Sequence, residues 1–268
     1  MAPPAPDDVW RALFVMASEQ ARMAPEGRPA WSVVIPAYDE AARLPAYLSQ
    51  VLLFFEERGE PFEVLVVDDG SRDGTSEKVR EFQRATDRVR LISLPENRGK
   101  GYAVRTGMVN ASGDLRLFTD ADGATPIAEL PRLEAEIRAG ADIAVGSRIL
   151  EDPSVVIQTR WHRKAVGQCF NWIVRAMGVS AVTYTQCGFK LFRGPVAESL
   201  FRALRTDGFG FDVEMILLAQ RRGYRIAEVP INWADQPGSK LGVATDAPRM
   251  LWEILAARAN FARGLYDL

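Results

Sequence analysis

The feature that most constrains this chain is an alternation: short, β-branched, apolar runs take turns with longer stretches of helical periodicity. Residues 31–36, 62–67, 89–94, 114–119 and 141–145 read as five buried strands. Between them, residues 41–58, 75–85, 101–111 and 127–139 read as helices, the first stopping at Gly59 and the last at Gly140. Four successive crossovers predict an α/β fold with a right-handed, doubly wound, mainly parallel sheet. The alternation weakens after Arg148. Residues 153–159 read as a loop, 160–177 as a helix, 186–192 as a strand, 211–222 as a helix, 225–233 as a strand and 246–265 as a closing helix. With no internal repeat and no low-complexity linker, this mixed second half is expected to be built onto the first sheet.

The composition suits a packed domain of this kind. Apolar residues fill 47% of 268 positions and charged ones 25%, which excludes a disordered or coiled-coil chain. Thirty-three Lys and Arg against 35 Asp and Glu leave a formal charge of −2 without a basic block, so nucleic acid is not an expected partner. The two cysteines, Cys169 and Cys187, are too few for a disulfide framework and suit a reducing compartment. No apolar run approaches the roughly 20 residues of a bilayer span, so no transmembrane helix is expected. The opening Met-Ala-Pro-Pro-Ala-Pro-Asp-Asp has neither the basic start nor the apolar stretch of a secretory signal. Residues 1–30 read as a leader with a short helix, and the expected location is the cytoplasm. Residues 10–16 are apolar; packing on the domain is preferred there to contact with lipid.

In an open parallel sheet, ligands bind beyond the carboxyl ends of the strands. Here those ends are acidic and polar: Tyr38-Asp39-Glu40, Asp68-Asp69-Gly70-Ser71, Asp120-Ala121-Asp122-Gly123 and Gly146-Ser147-Arg148. Taken singly, Asp39 and Asp73 read equally well as helix N-caps, and Asp68-Asp69-Gly70 as a turn. In Asp120-Ala121-Asp122, alternation along a strand end puts both carboxylates on one side. Two hard oxygen donors so spaced suit Mg²⁺ or Mn²⁺ bridged to a diphosphate. Asn97-Arg98-Gly99-Lys100-Gly101 supplies the opposite sign at a helix start, where backbone amides already favour an anion. It lacks the glycine spacing and hydroxyl of a Walker loop, and no Gly-x-Gly-x-x-Gly follows the first strand, which disfavours P-loop hydrolysis and dinucleotide oxidoreduction. His162, the only histidine, reads as a surface residue beside Arg160 and Arg163 and leaves little material for serine–histidine or zinc chemistry.

Taken in order, VVIPAYDEAARLP, EVLVVDDGSRDGT, ENRGKGYAVRTG, DADGAT, VGSR, QCGFKLF, FDVEM and GSKL resemble glycosyltransferase family two, which has the inverting GT-A fold. The resemblance runs from Trp31 to Leu241 and is strongest to dolichyl-phosphate β-glucosyltransferases and their bacterial polyprenyl-phosphate relatives, chiefly through RGKG, DADGAT and TQCGFKLF. It implies a GT-A domain over residues 31–245, with an acceptor-side second half, and a C-terminal helix over 246–268. It further implies that Pro36, Tyr38 and Glu40 line the nucleotide pocket, that Asp68 and Asp69 meet the base and ribose, and that Lys100 lies near the uracil or diphosphate. Asp120 and Asp122 would be the metal and ribose ligands. Arg148, Arg160 and Arg163 would offer guanidiniums to phosphate, whose oxygens a planar fork fits bidentately. Lys240, in Gly238-Ser239-Lys240, would be the cation of a loop closing over the diphosphate.

The implied reaction moves a hexose, with UDP-glucose the expected donor: an acceptor oxygen attacks the anomeric carbon and the nucleoside diphosphate leaves from the opposite face. A polyprenyl phosphate is already an anion, whereas an alcohol needs a carboxylate to remove its proton. Asp212 and Glu214, read as sharing one face of Phe211-Asp212-Val213-Glu214-Met215, are the candidates; Asp212 is preferred because it opens the helix. Tyr184 stands where relatives carry an acid just before TQCGF. Such relatives are often tied to a membrane by an apolar segment that is not expected here, which makes a small soluble acceptor the alternative to the lipid phosphate. The lipid would be reached by peripheral contact at the inner face of the membrane, through residues 10–16 or through Trp161, Phe170 and Trp172, although core or partner contacts are preferred for those three. A nucleotidyltransferase and a sugar-nucleotide-binding homologue without turnover are the competing readings. Met250, Leu251, Ile254 and Leu255 recur at helical spacing and are expected to be buried within the subunit, a homodimer contact being their other use.

Overall fold

The computed structural model describes residues 28–150, 152–155, 157–158, 181–234, 236 and 243–266. The first half alternates as expected: β1 (Trp31–Ala37), α1 (Leu44–Arg58), β2 (Phe62–Asp68), α2 (Thr75–Ala85), β3 (Val89–Ser93), α3 (Lys100–Asn110), β4 (Leu115–Thr119), a 3₁₀ turn (Ile127–Glu129), α4 (Leu130–Arg138) and β5 (Ile143–Ser147). There follow β6 (Ile157–Gln158), β7 (Phe189–Arg193), α5 (Gly194–Ala203), α6 (Phe211–Arg221), β8 (Ile226–Pro230), β9 (Trp233–Ala234) and α7 (Val243–Ala262).

Seven strands form one sheet in the order β3-β2-β1-β4-β7-β5-β8, and β6 pairs separately with β9. Six of the seven run parallel; β7 alone is antiparallel to both its neighbours, with Thr119 opposite Phe189 and Val145 opposite Lys190. Alternate residues of each strand feed different cores. Val33, Ile35, Val64 and Val66 join α1, α2 and α4 on one face; Val34, Leu65 and Phe118 join α3, α5, α6 and α7 on the other. Burial on both faces is why these strands read as continuous apolar runs.

Four expectations need correction. The helix read from residue 41 starts at Leu44, because residues 39–43 form a loop in which Asp39 adopts a positive φ of 50°. The helix read over 127–139 is a 3₁₀ turn followed by α4; Pro131, which has no N–H to donate, falls in the first turn of α4. The strand read over 225–233 is two strands, since the chain leaves the main sheet after Pro230 and Trp233 pairs with Ile157. The division at 245/246 falls inside α7, whose Ile254 and Phe261 belong to the same core as the sheet. The helix read over 160–177 lies outside the described residues.

Candidate active site

The carboxyl ends of β1, β2, β4 and β5 lie on one rim because those strands are parallel. Reversed β7 brings the residues that precede it, 184–188, to that rim as well.

The first two loops are tied together side chain to backbone. Ser71 Oγ accepts the Asp39 N–H at 2.8 Å, Asp39 Oδ1 accepts the Arg72 N–H at 2.8 Å, Thr75 Oγ1 accepts the Glu40 N–H at 2.8 Å and Asp73 Oδ2 accepts the Ala41 N–H at 2.9 Å. Asp39 and Asp73 therefore join two loops, and neither caps α1 or α2 from the N-cap position. Asp68 and Asp69 are each 3% exposed. Asp68 accepts the Ser71 N–H and the Ser76 hydroxyl. Asp69 accepts the N–H groups of Arg98 and Gly99 at 2.8 and 2.9 Å, fixing the entry to α3. Burial holds the Asp69 carboxyl above its usual range despite those two donors. Beside them Pro36 is buried, Tyr38 is exposed on the rim, and Glu40 is ion-paired with Arg43.

The acids after β4 meet the cation that opens α3. Lys100 Nζ lies 2.7 Å from Asp120 Oδ1, and Arg43 lies 3.8 Å from Asp122 Oδ2. Asp122 Oδ1 accepts the Ala124 N–H at 3.0 Å. Burial and then the neighbouring Asp120 charge push the Asp122 carboxyl up. Burial alone would lower Lys100; the charges of Asp120 and Asp212 outweigh it and hold the ammonium form. Asp120 donates its N–H to Gly188 O at 3.0 Å, and a Cβ at Gly188 would stand 2.0 Å from Asp120 Oδ2, so only glycine leaves that carboxylate where it is.

Sequence reasoning did not find the second charged pair. Lys190, fully buried in β7, lies 2.6 Å from Asp212 Oδ1 and donates to Cys187 O. Lys100 and Lys190 both lie over the Phe118 ring, 5.6 and 5.5 Å from its centroid, so the pairs Lys100–Asp120 and Lys190–Asp212 are grouped around one aromatic side chain. The signal was a single Lys inside the apolar run Phe189-Lys190-Leu191-Phe192, where an ammonium persists only with a partner. Burial raises the Asp212 carboxyl against the pull of Lys190 and Lys100.

Asp212 and Glu214 do not share a face, because residues two positions apart on a helix point to nearly opposite sides. Glu214 is turned to the loop before α6, where it accepts the N–H groups of Arg205 and Thr206 at 3.0 and 2.8 Å and the Tyr266 hydroxyl. Arg148 is stacked between Tyr184 and Trp233, 4.8 and 4.5 Å from their centroids. Tyr184 is buried, which raises its hydroxyl to about 12, and its N–H goes to Glu228. Arg160, Arg163 and Lys240 lie outside the described residues.

Among the described residues no cluster of three or more His, Cys, Asp or Glu side chains could hold a metal ion. The donor set at Asp120 and Asp122 nevertheless fits a hard divalent cation that takes its remaining ligands from phosphate and water, since Mg²⁺ is commonly held by one or two carboxylates.

The description "Glycosyl transferase family 2" matches residues 32–200. The chain belongs to glycosyl transferase family 2. This family 2 member is 35% identical over 256 residues to the dolichyl-phosphate beta-glucosyltransferase of Saccharomyces cerevisiae, covering 88% of this chain and 76% of the yeast protein. It is 35% identical over 250 residues to the Homo sapiens protein of the same name, covering 88% and 77%. Its fold resembles the glucosyl-3-phosphoglycerate synthase of Mycobacterium tuberculosis in complex with UDP (TM-score 0.64, 18% identity, 97% and 86% covered). The same synthase in complex with Mn²⁺ and UDP-glucose aligns with a TM-score of 0.63 at 18% identity, over 100% of this chain and 86% of that one. The acids after β1, β2 and β4 all lie within the matched residues 32–200.

Proposed function

We propose that the protein transfers glucose from a nucleoside diphosphate sugar, UDP-glucose, to a polyprenyl phosphate of the dolichyl type, with inversion at the anomeric carbon. One observation carries this reading: nearly nine-tenths of the chain aligns with proteins named dolichyl-phosphate beta-glucosyltransferase.

In this reading Pro36, Tyr38, Glu40, Asp68 and Asp69 frame the nucleotide, the last two by fixing the loops that touch it. Asp120 and Asp122 would hold Mg²⁺ or Mn²⁺, which when bound neutralises charge on the departing diphosphate. Lys100 supplies a second, permanent positive charge beside that group, and Arg148, braced by two rings, presents a fixed guanidinium to phosphate. Arg160, Arg163 and Lys240 are proposed as further phosphate contacts. Asp212 stands beside the acid cluster with Lys190 holding one of its oxygens. A phosphate acceptor needs no deprotonation, so Asp212 orients it or takes a proton if the acceptor enters as its monoanion.

The test is release of UDP from UDP-glucose with Mn²⁺, with and without polyprenyl phosphate. Acceptor-dependent release with a glucolipid product is expected. Release driven only by a soluble alcohol or phosphoester would replace the lipid acceptor, and absence of UDP binding would remove the whole reading.

A further inference from the structure

No described helix is long and apolar enough to cross a membrane. Yet among the described residues, three of the five large apolar side chains left exposed, Trp252 (69%), Leu255 (49%) and Leu265 (43%), sit on α7 or just after it. An ordinary surface helix has one apolar stripe; α7 has two. Met250, Ile254, Ala257 and Phe261 are buried, Ile254 and Phe261 within the sheet's second core. Opposite them Pro248, Trp252, Leu255, Ala259 and Ala262 recur at the same helical spacing, and all five are exposed.

From Pro248 onward the exposed charges beside this helix are basic, while its first turns also carry Asp246. Arg249, Arg258 and Arg263 are exposed beside the outer stripe. From Pro248 to Tyr266 the only acid is Glu253, which is buried, accepts the Gly210 N–H at 2.8 Å and pairs with Arg249 at 3.2 Å, leaving Arg258 and Arg263 as the cations it does not balance. The inward contact is close: a Cβ at Gly208 or Gly210 would stand 2.0 or 2.8 Å from Glu253 atoms. Gly210 immediately precedes Phe211 and Asp212, so the inner face of α7 holds the loop that enters the candidate active site.

We propose that the outer stripe of α7 docks on an anionic lipid bilayer. Trp and Leu suit the boundary between headgroups and acyl chains, and the flanking arginines complement anionic headgroups. A second copy of the chain would instead set arginine against arginine. The docking face and the Asp212 loop share one helix, which brings the candidate site near the surface where a polyprenyl phosphate presents its headgroup. The purpose of the surface rests on the lipid-acceptor reading above; its existence is tested without acceptor.

The full chain is sedimented with vesicles of phosphatidylcholine plus phosphatidylglycerol, and with phosphatidylcholine alone, in the absence of nucleotide. Binding to the mixed vesicles is expected, weakened by salt and roughly tenfold or more by Trp252→Ser with Leu255→Ser, and likewise by Arg258→Gln with Arg263→Gln. Unchanged melting temperatures verify that the variants fold, and Leu255→Lys alone serves as an independent check. Wild-type protein left in the supernatant, or equal binding by the Trp252/Leu255 variant, would overturn the proposal. So would a concentration-dependent dimer abolished by that variant without vesicle binding. Glucosyl transfer to detergent-dispersed polyprenyl phosphate is measured separately; its absence would sink the acceptor reading while leaving the vesicle result intact.

Discussion

At Asp122 the protein keeps a carboxylate where burial and Asp120 both oppose its charge. The folded pKa lies above the unfolded one, so folding favours the protonated form. Stability from this residue is therefore full below the ordinary carboxylate pKa, falls as pH rises through the raised folded value, and stays lost at neutral pH. Asp122→Asn keeps an acceptor for the Ala124 N–H and removes the charge. The metal-free variant should melt at a higher temperature than wild type near pH 7, the difference closing toward about pH 4, while transfer falls by about a hundredfold or more. Calorimetry across pH, beside a transfer assay, checks both halves. Gly188→Ala probes the neighbouring carboxylate by shape alone. Its Cβ would collide with Asp120, so donor turnover should drop by roughly a hundredfold, with a stability loss of about 1–3 kcal/mol from overpacking. Normal turnover would mean that Asp120 moves aside without consequence.

Among the elements, β7 decides most. It carries Lys190 into the sheet between β4 and β5, and removing one member of a buried ion pair leaves the other uncompensated. Lys190→Met should cost roughly 3–5 kcal/mol in urea unfolding at neutral pH, and most of that should return in the double variant Lys190→Met with Asp212→Leu. If the double variant is no better than the single one, the pair is not what Lys190 is for. The direction of β7 was not legible beforehand, because a five-residue apolar run says nothing about which way it lies in a sheet. By contrast β1, β2, β4 and β5 announced themselves through runs buried on both faces, and the acids beyond them followed from the rule that ligands meet strand ends. Helix α5 was not read from the sequence; it opens on Gly194-Pro195, and proline in the first turn of a helix loses no hydrogen bond. The pairing of Asp212 with Glu214 failed for a related reason: a spacing of two suits a strand, and these residues are on a helix.

For the molecule as a whole, the two cores make the C-terminal segment indispensable. Ile254, Phe261 and Tyr266 fill the face opposite α1, and Tyr266 donates to buried Glu214. A chain ending after Gly242 should lack a cooperative thermal transition, because it exposes that face and strips a hydroxyl donor from a buried carboxylate. A sharp calorimetric peak for the truncated chain would show that α7 is dispensable to the fold.

The reversal of β7 also bears on how the protein is made. While it emerges from the ribosome, β4 and β5 are synthesised some forty residues or more before the strand that must slide between them, and each presents an unpaired edge until then. The acids of the candidate site therefore come together late in biosynthesis, and a nascent chain stalled before Phe189 is the species a chaperone would be called on to shield.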